Sequence, residues 1–581
     1  MKTVWPLEGV RVLEWGGLPA AIAGRVLADL GAEVRVVAPK SVGLPRHPDN
    51  SHRPTPAPFE APLRAWLSAD KTHIELALEQ SSGQFAQLLP GLFSGVQLLI
   101  TSPAKYFGPL QDKAVMSVYK NGGTPPWIRL QSFPVTSDLM KPARETLFAR
   151  LPRLPHLGSA ENLFLGVYAA AIGLLALCSG VRPCQMYTID PGRLRSELLE
   201  FIAPAGDDDS YWDRGFCLLP AKDGWVSTTI LGDWTALAHG AAATGAPSWL
   251  TESRFEDLAC RYRYAEQIFE ALARWSSAWK ANQLTRWAQL RRIPTATVRA
   301  PTNVVHDPQL RTRKFFRSPP NSSAYASKKA LCRPRAPVIF ASGSNHPLTA
   351  SGETVGSRRS PEPSASTEEG TLLRNVRVLD FTHALAGPLT SFLLRHFGAP
   401  VTKIDPPGSP PTLLHRDLFS RLHKGKQRVA ITITSSSDNR ELQDLIRNCD
   451  VLIDNFSVRV MNNWGLNYTK LRSINPGLVQ IRMTGFGLTG PLRHWVAYAP
   501  TLHAWSGHTW LLGLRHGERP VEGWPIPFVD ILSGLFGFLA ALAALWFRKQ
   551  TGSGLLVDLS EFECAVFALT PALLPALNPE L

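Results

Sequence analysis

Asp530 stands in Pro527-Phe528-Val529-Asp530-Ile531-Leu532-Ser533-Gly534, just ahead of a long apolar run. A carboxylate at a helix start has two uses. It can cap the helix, or it can act as a nucleophile whose charge the helix N-terminus supports. Gly485-Phe486-Gly487-Leu488-Thr489-Gly490 matches G-x-G-x-x-G. In a dinucleotide fold that motif follows the first strand and opens a helix. Here it follows a later strand and runs into Pro491. A loop that lets a ligand approach the backbone fits better, with a plain turn as the alternative. His383, in Asp380-Phe381-Thr382-His383-Ala384-Leu385-Ala386-Gly387-Pro388, falls in a first βα loop, the edge where open α/β sheets bind ligands. It is either a ligand contact or a bland surface histidine. The cluster His423-Lys424-Gly425-Lys426-Gln427-Arg428 can grip phosphate or simply face solvent. The seven cysteines form no Cys-x-x-Cys, which argues against a zinc ribbon or disulfide framework and for a reducing compartment. No metal site is expected.

The elements that must carry these residues occur twice. One opening is Leu7-Glu8-Gly9-Val10-Arg11-Val12-Leu13-Glu14-Trp15; the other is Leu373-Arg374-Asn375-Val376-Arg377-Val378-Leu379-Asp380-Phe381. Each has the pattern of a buried strand. A loop, a helix ending at Gly-Ala (Gly31-Ala32, Gly398-Ala399) and a second strand follow in both. Two βαβ units predict a parallel sheet in each half. The repeat continues: Trp127 to Phe133 aligns with Gln480 to Phe486, and Asn162 to Leu177 with Asp530 to Leu545, sharing Gly166 and Gly534. Asn162 thus stands where Asp530 stands. A section at about 195–316 has no counterpart in the second half and is α+β in pattern. The expected layout is a unit over 1–342 (large domain about 1–195, small domain about 196–316), a flexible Ser/Pro-rich linker over 343–370, and a unit over 371–581 lacking its own small domain. Either the first half supplies that domain or the second unit is a truncated or decayed product.

The chain has 581 residues and a formal net charge of +14, which favours anionic partners. Leu163–Leu177 and Ile531–Phe547 are nearly all apolar but fall short of the roughly 20 residues of a membrane span. They are expected as buried helices, with no membrane partner. Charge alone does not support a nucleic-acid partner. The N-terminus has no apolar signal segment, and a cytoplasmic location is expected.

Val378 to Pro388, Lys403-Ile404-Asp405-Pro406, Asp454-Asn455-Phe456, Gly485 to Pro491, Asp530 with Gly534, Ala540-Ala541-Leu542, and Thr551-Gly552-Ser553-Gly554 form an ordered series. The series resembles the class III CoA-transferases, the CaiB/BaiF family, over about 371–570. The first half resembles the same family more faintly, its tail including His306-Asp307-Pro308-Gln309-Leu310. The resemblance implies an α/β fold of two Rossmann-like units in tandem, the first with a small α+β domain and the second ending early. It implies an internal pseudo-dimer or a homodimer. It also implies transfer of CoA from an acyl-CoA thioester to a carboxylic acid, through an anhydride and an aspartyl-CoA on Asp530. Coenzyme A is then a substrate, and no tightly bound cofactor is expected. Positions implied to line CoA are His383, Ala384, Leu385, Ala386, Lys426, Ile431, Asn455 and Phe456. Gly485, Phe486 and Gly487 would offer backbone donors. The tandem layout is similar to the dimethylsulfoniopropionate CoA-transferase/lyase type, a resemblance that implies an associated lyase activity. The alternatives are a non-catalytic CoA-binding relic and an acyl-CoA racemase. The racemase is disfavoured because Tyr498 and Ala499 stand where its His-Asp pair belongs.

Overall fold

The computed structural model describes residues 2–39, 60–76, 91–102, 126–130, 153–154, 158–179, 186–189, 215–317, 331–343, 372–407, 421–433, 439–513 and 527–579. All but the first residue of the expected linker, the stretch 131–134 and the start of the unmatched section lie outside these residues.

In the first half, β1 (Lys2–Thr3) and β2 (Arg11–Trp15) precede helix α1 (Leu18–Asp29). Strands β3 (Glu33–Pro39), β4 (Thr72–Leu76), β5 (Leu98–Thr101) and β6 (Trp127–Leu130) follow, then α2 (Ala160–Ser179) and β7 (Met186–Ile189). The sheet runs β4-β3-β2-β5-β6-β7, all parallel. A separate antiparallel sheet comprises β8 (Phe216–Ala221), β9 (Gly224–Thr229) and β10 (Thr295–Thr297). It packs with helices Ala265–Ser276 and Ala281–Leu290 around Trp275 and Leu284. Residues 277–280 separate these two helices. Short helix α3 (Pro308–Thr312) and strand β11 (Val338–Ser342) lead out of this section.

The second half repeats the first. It contains β12 (Val378–Asp380), α4 (Ala386–His396), β13 (Val401–Asp405), β14 (Gln427–Ala430), β15 (Val451–Asp454), β16 (Val479–Thr484), α5 (Phe528–Thr551), β17 (Leu556–Ser560) and α6 (Glu561–Ala568). Its parallel core has the order β14-β13-β12-β15-β16-β17, matching the first sheet strand for strand. Beyond β17 it is extended by β11 and then β1, both antiparallel. A strand that precedes the second half in sequence therefore closes the edge of the second half's sheet. An open strand edge would otherwise be left without backbone partners.

The repeated helices lie against one another. Helix α5 packs on α2, with the Phe164 and Phe528 rings 5.2 Å apart. Gly534 and Gly537 allow α4 to approach α5, since a Cβ at either would collide with Leu389 or Thr390. The Thr390 hydroxyl donates to the Gly534 carbonyl at 3.1 Å. Gly166 fills the same part in the first half against Ile22 and the Pro19 carbonyl. Helices α2 and α5 run to 20 and 24 residues, longer than the apolar runs suggested. Both are long and apolar enough to cross a membrane, yet 78% and 94% of their most apolar windows are buried inside the protein.

Candidate functional site

The second half's sheet reverses direction of winding between β12 and β15. From β12 the chain winds outward to β13 and β14, then returns to the other side of β12 for β15, β16 and β17. The crevice beyond the carboxyl ends of two such strands is where open α/β sheets hold ligands. Here that crevice is framed by the loop after β12 and by Asn455-Phe456 after β15. The two are tied together. The His383 N–H donates to the Asn455 side-chain oxygen at 2.8 Å, and the Asn455 amide donates back to the His383 carbonyl at 2.6 Å. The His383 ring lies 5.1 Å from that of Phe456. Burial, with the nearby Lys403, lowers the His383 pKa. Ala384 sits at φ +59°, a left-handed conformation rare for a residue with a side chain. Leu385 and Ala386 turn inward at the start of α4, and Ile431 is buried just after β14. The structure thus brings His383, Ala384, Asn455 and Phe456 to one crevice. Leu385, Ala386 and Ile431 lie in the packing beneath it.

Lys426 differs from the reading of its cluster. Its ammonium is buried and donates to Asp380 at 2.9 Å and to Ser391 at 2.8 Å. Burial disfavours the Asp380 charge, but Lys426, Lys403 and hydrogen bonds from Ser391 and Thr382 more than offset this. Its carboxyl is held below the usual range. The Lys426 side chain therefore locks the turn before β14 to β12 and α4 and does not extend as a phosphate grip. A comparable pair exists in the first half, where Lys71 donates to Glu14 at 2.5 Å. Lys424 and Arg428 are the exposed cations of the cluster, and Arg428 is paired with Asp405.

Helix α5 runs back from the carboxyl edge of the sheet, so its first turn opens on that edge. The helix is capped at Pro527 without a side-chain bond, and Asp530 lies inside the first turn. The capping use of Asp530 is not what the structure adopts. Asp530 is half-buried, and burial together with the neighbouring Glu561 raises its pKa well above the usual carboxylate range. Burial raises that of Glu561 as well. Glu561 opens α6 directly after β17, and one turn further the Cys564 thiol meets Ser533 of α5. The first turns of α5 and α6 thus face each other with two carboxyl groups between them. The pattern Ser560-Glu561-Phe562-Glu563 marks a helix start, since Ser560 caps the Glu563 N–H at 3.3 Å. Nothing in the sequence tells that Glu561 meets Asp530.

The glycine loop leaves β16 on the same edge. The Phe562 N–H donates to the Gly485 carbonyl at 2.8 Å, and the Phe486 and Phe562 rings are 5.4 Å apart. Gly487 and Gly490 have φ of +85° and +93°. A Cβ at Gly487 would enter the Arg313 guanidinium, and one at Gly490 the Gln309 amide. The glycines of G-x-G-x-x-G therefore answer to side chains from α3 and the residue following it. Arg313 donates to Glu563 at 2.6 Å, Asp558 at 2.7 Å and the Thr489 hydroxyl at 3.1 Å. Among the described residues no group of three or more His, Cys, Asp or Glu could hold a metal ion. In the first half Asn162 occupies the first turn of α2, the place that Asp530 takes in α5.

Comparison with known proteins gives a consistent picture. The model of CoA-transferase family III matches residues 198–342 and 373–580. The alpha subunit of succinyl-CoA–L-malate CoA-transferase from Chloroflexus aurantiacus is 36% identical over 218 residues, covering 35% of this chain and 50% of that protein. Acetyl-CoA:oxalate CoA-transferase from Acetobacter aceti is 34% identical over 205 residues, covering 34% and 52%. Mouse succinyl-CoA:glutarate CoA-transferase is 31% identical over 207 residues, covering 34% and 47%. The chain spans about half the length of the curated relatives it matches. Among solved structures, a CaiB/BaiF family protein from Brucella suis is 28% identical, with a TM-score of 0.30, over 33% of this chain and 54% of that one.

Proposed function

Because this chain belongs to CoA-transferase family III, we propose that its second half transfers CoA from an acyl-CoA thioester to a carboxylic acid, with Asp530 as nucleophile. One observation carries this reading: a half-buried carboxyl in the first turn of a buried helix, on the sheet edge that also bears the glycine loop and the switch-point crevice. A carboxylate is a poor nucleophile in water and a better one when stripped of water and held in place. The Asp530 carboxylate attacks the thioester carbonyl, the C–S bond breaks, and CoA leaves as thiolate. The thiolate attacks the aspartyl carbonyl of the anhydride, giving aspartyl-CoA and the donor's carboxylate. The acceptor carboxylate attacks that thioester and again releases thiolate. The thiolate then attacks the acceptor's acyl carbon, giving acceptor-CoA and free Asp530. Each tetrahedral intermediate places negative charge on an oxygen, for which backbone N–H groups of the glycine loop are the proposed donors.

CoA would lie across the loop 383–386 and Asn455-Phe456, with its phosphates drawn by the exposed cations and not by Lys426. The section containing β8 to β11 serves as the small domain of the second half, and the first half, with Asn162, as its pseudo-dimeric partner. The test is intact-protein mass spectrometry after mixing with a panel of acyl-CoAs. An acyl or CoA adduct mapped to Asp530 supports the reading. CoA binding without an adduct from any donor would favour a non-catalytic role.

Two further outcomes are expected. Asn455→Ala frees the His383 backbone from both of its ties and should weaken binding of the CoA donor by roughly tenfold, about one net hydrogen bond. Isothermal titration with CoA checks this. Since the Asp530 pKa is raised, its reactive ionised form accumulates as pH rises, and adduct formation should accelerate with pH. Glu561→Gln removes the opposing charge and should move this profile to lower pH. Single-turnover rates across a pH series read the shift; an unmoved midpoint would show that the two carboxyls do not interact.

A further inference from the structure

The glycine loop is held from one side by glutamines of the section between the two sheets. Gln309 is fully buried, and its Nε2 donates to the Phe486 carbonyl at 2.5 Å and to the Thr489 carbonyl at 2.7 Å. Its Oε1 accepts from the Leu492 N–H at 2.8 Å. Gln289 holds Val496 in the same two-way manner, at 2.9 Å for each bond. Gln309 is itself fixed by Asp307, which accepts from the Gln309 N–H at 2.7 Å and pairs with Arg299.

A trans peptide has its C=O and N–H on opposite sides of the plane. When Gln309 draws the Phe486 and Thr489 carbonyls toward itself, the N–H groups of Gly487 and Gly490 must point away from it. Glycine leaves those planes free to rotate, so the sequence of the loop alone does not fix where its donors aim. Preorganised donors are worth most where charge develops.

We propose that Gln309 is a positioning residue, which orients the glycine-loop N–H groups toward the oxyanion formed at Asp530 and makes acyl transfer in the second half depend on the section that precedes it. The inference rests on the transferase reading given above. Its test uses the full chain and two variants, Gln309→Met, which keeps the shape without hydrogen bonds, and Gln309→Glu, which keeps the acceptor. The readouts are the single-turnover rate of adduct formation at Asp530, the dissociation constant for CoA, and the thermal midpoint. The Met variant should form adduct about 10²-fold more slowly, with CoA affinity unchanged. The Glu variant, compared with the parent at each pH, should recover as pH falls and its carboxyl regains a proton to donate. An unchanged rate in both variants overturns the proposal, as does loss of rate and CoA affinity in step with loss of folded protein. Absence of adduct in the parent overturns it together with the transferase reading, whereas adduct in the parent with no effect of Gln309 overturns it alone.

Discussion

Asp530→Asn is expected to form no covalent adduct with any acyl-CoA and yet to be more stable than the parent at neutral pH. The amide keeps the shape of the side chain but cannot close the anhydride, so turnover should fall by at least about 10³-fold. The gain in stability follows from the burial of the carboxyl. The folded chain holds the Asp530 proton more tightly than the unfolded chain does. Stability from this group is therefore complete below the unfolded carboxylate pKa, and it is lost as pH climbs from there toward the raised folded value. Asparagine has no proton to lose. Thermal midpoints of parent and variant should converge near pH 4 and separate as pH rises. A variant that still carries an adduct, or that melts below the parent at every pH, would falsify the assignment of Asp530.

The second large effect is structural. Arg313→Met should cost about 3–5 kcal/mol, the usual consequence of removing one partner from a buried ionic cluster. Arg313 and Glu563 are fully buried, and Asp558 nearly so. Burial works against the Arg313 charge, but Asp558 and Glu563 more than offset it and its pKa is raised. Arg335, the other cation at Glu563 at 3.1 Å, is disfavoured by burial and by Arg313. Without Arg313 two carboxylates are left with too little positive charge. Adding Glu563→Gln to Arg313→Met should recover part of the loss, because the two residues act as one unit. Denaturant unfolding of the single and double variants measures this, and a single variant as stable as the parent would mean the cluster contributes little.

The periodic parts of this fold were legible in the chain. Strand openings at Val10 and Val376, the Gly-Ala helix ends and the shared Gly166 and Gly534 led to two sheets of one strand order, because each signal is local and repeats. The helix that carries Asp530 was legible as an apolar run too short for a membrane span, but that Asp530 lies inside its first turn and not at its cap was not. Nor was the setting of Lys426. Its neighbours His423, Lys424 and Arg428 suggest a solvated basic turn, and only the fold reveals that Asp380, far back in the chain, draws this one lysine inside. Glu561 and Gln309 were missed likewise. Each sits at an ordinary helix start, and what they touch depends on pairings across the chain that no spacing encodes. The tail around His306 to Leu310 resembles the family in sequence, but its contact with the glycine loop of the second half is not encoded in that spacing.

The antiparallel pairing of β11 with β17 also sets a timetable for synthesis. The partners are separated by roughly 200 residues, which a ribosome adds over some 10–40 seconds. During that interval the first sheet can assemble, but Val338-Ile339-Phe340-Ala341 must wait without the strand that will cover one of its edges. Lys2-Thr3 reaches only its far end on the other side. The nascent chain thus carries an apolar, half-covered strand for roughly a third of its translation. Production of this protein should be sensitive to elongation rate and to chaperone supply in a way that a two-unit chain folding each half in turn would escape.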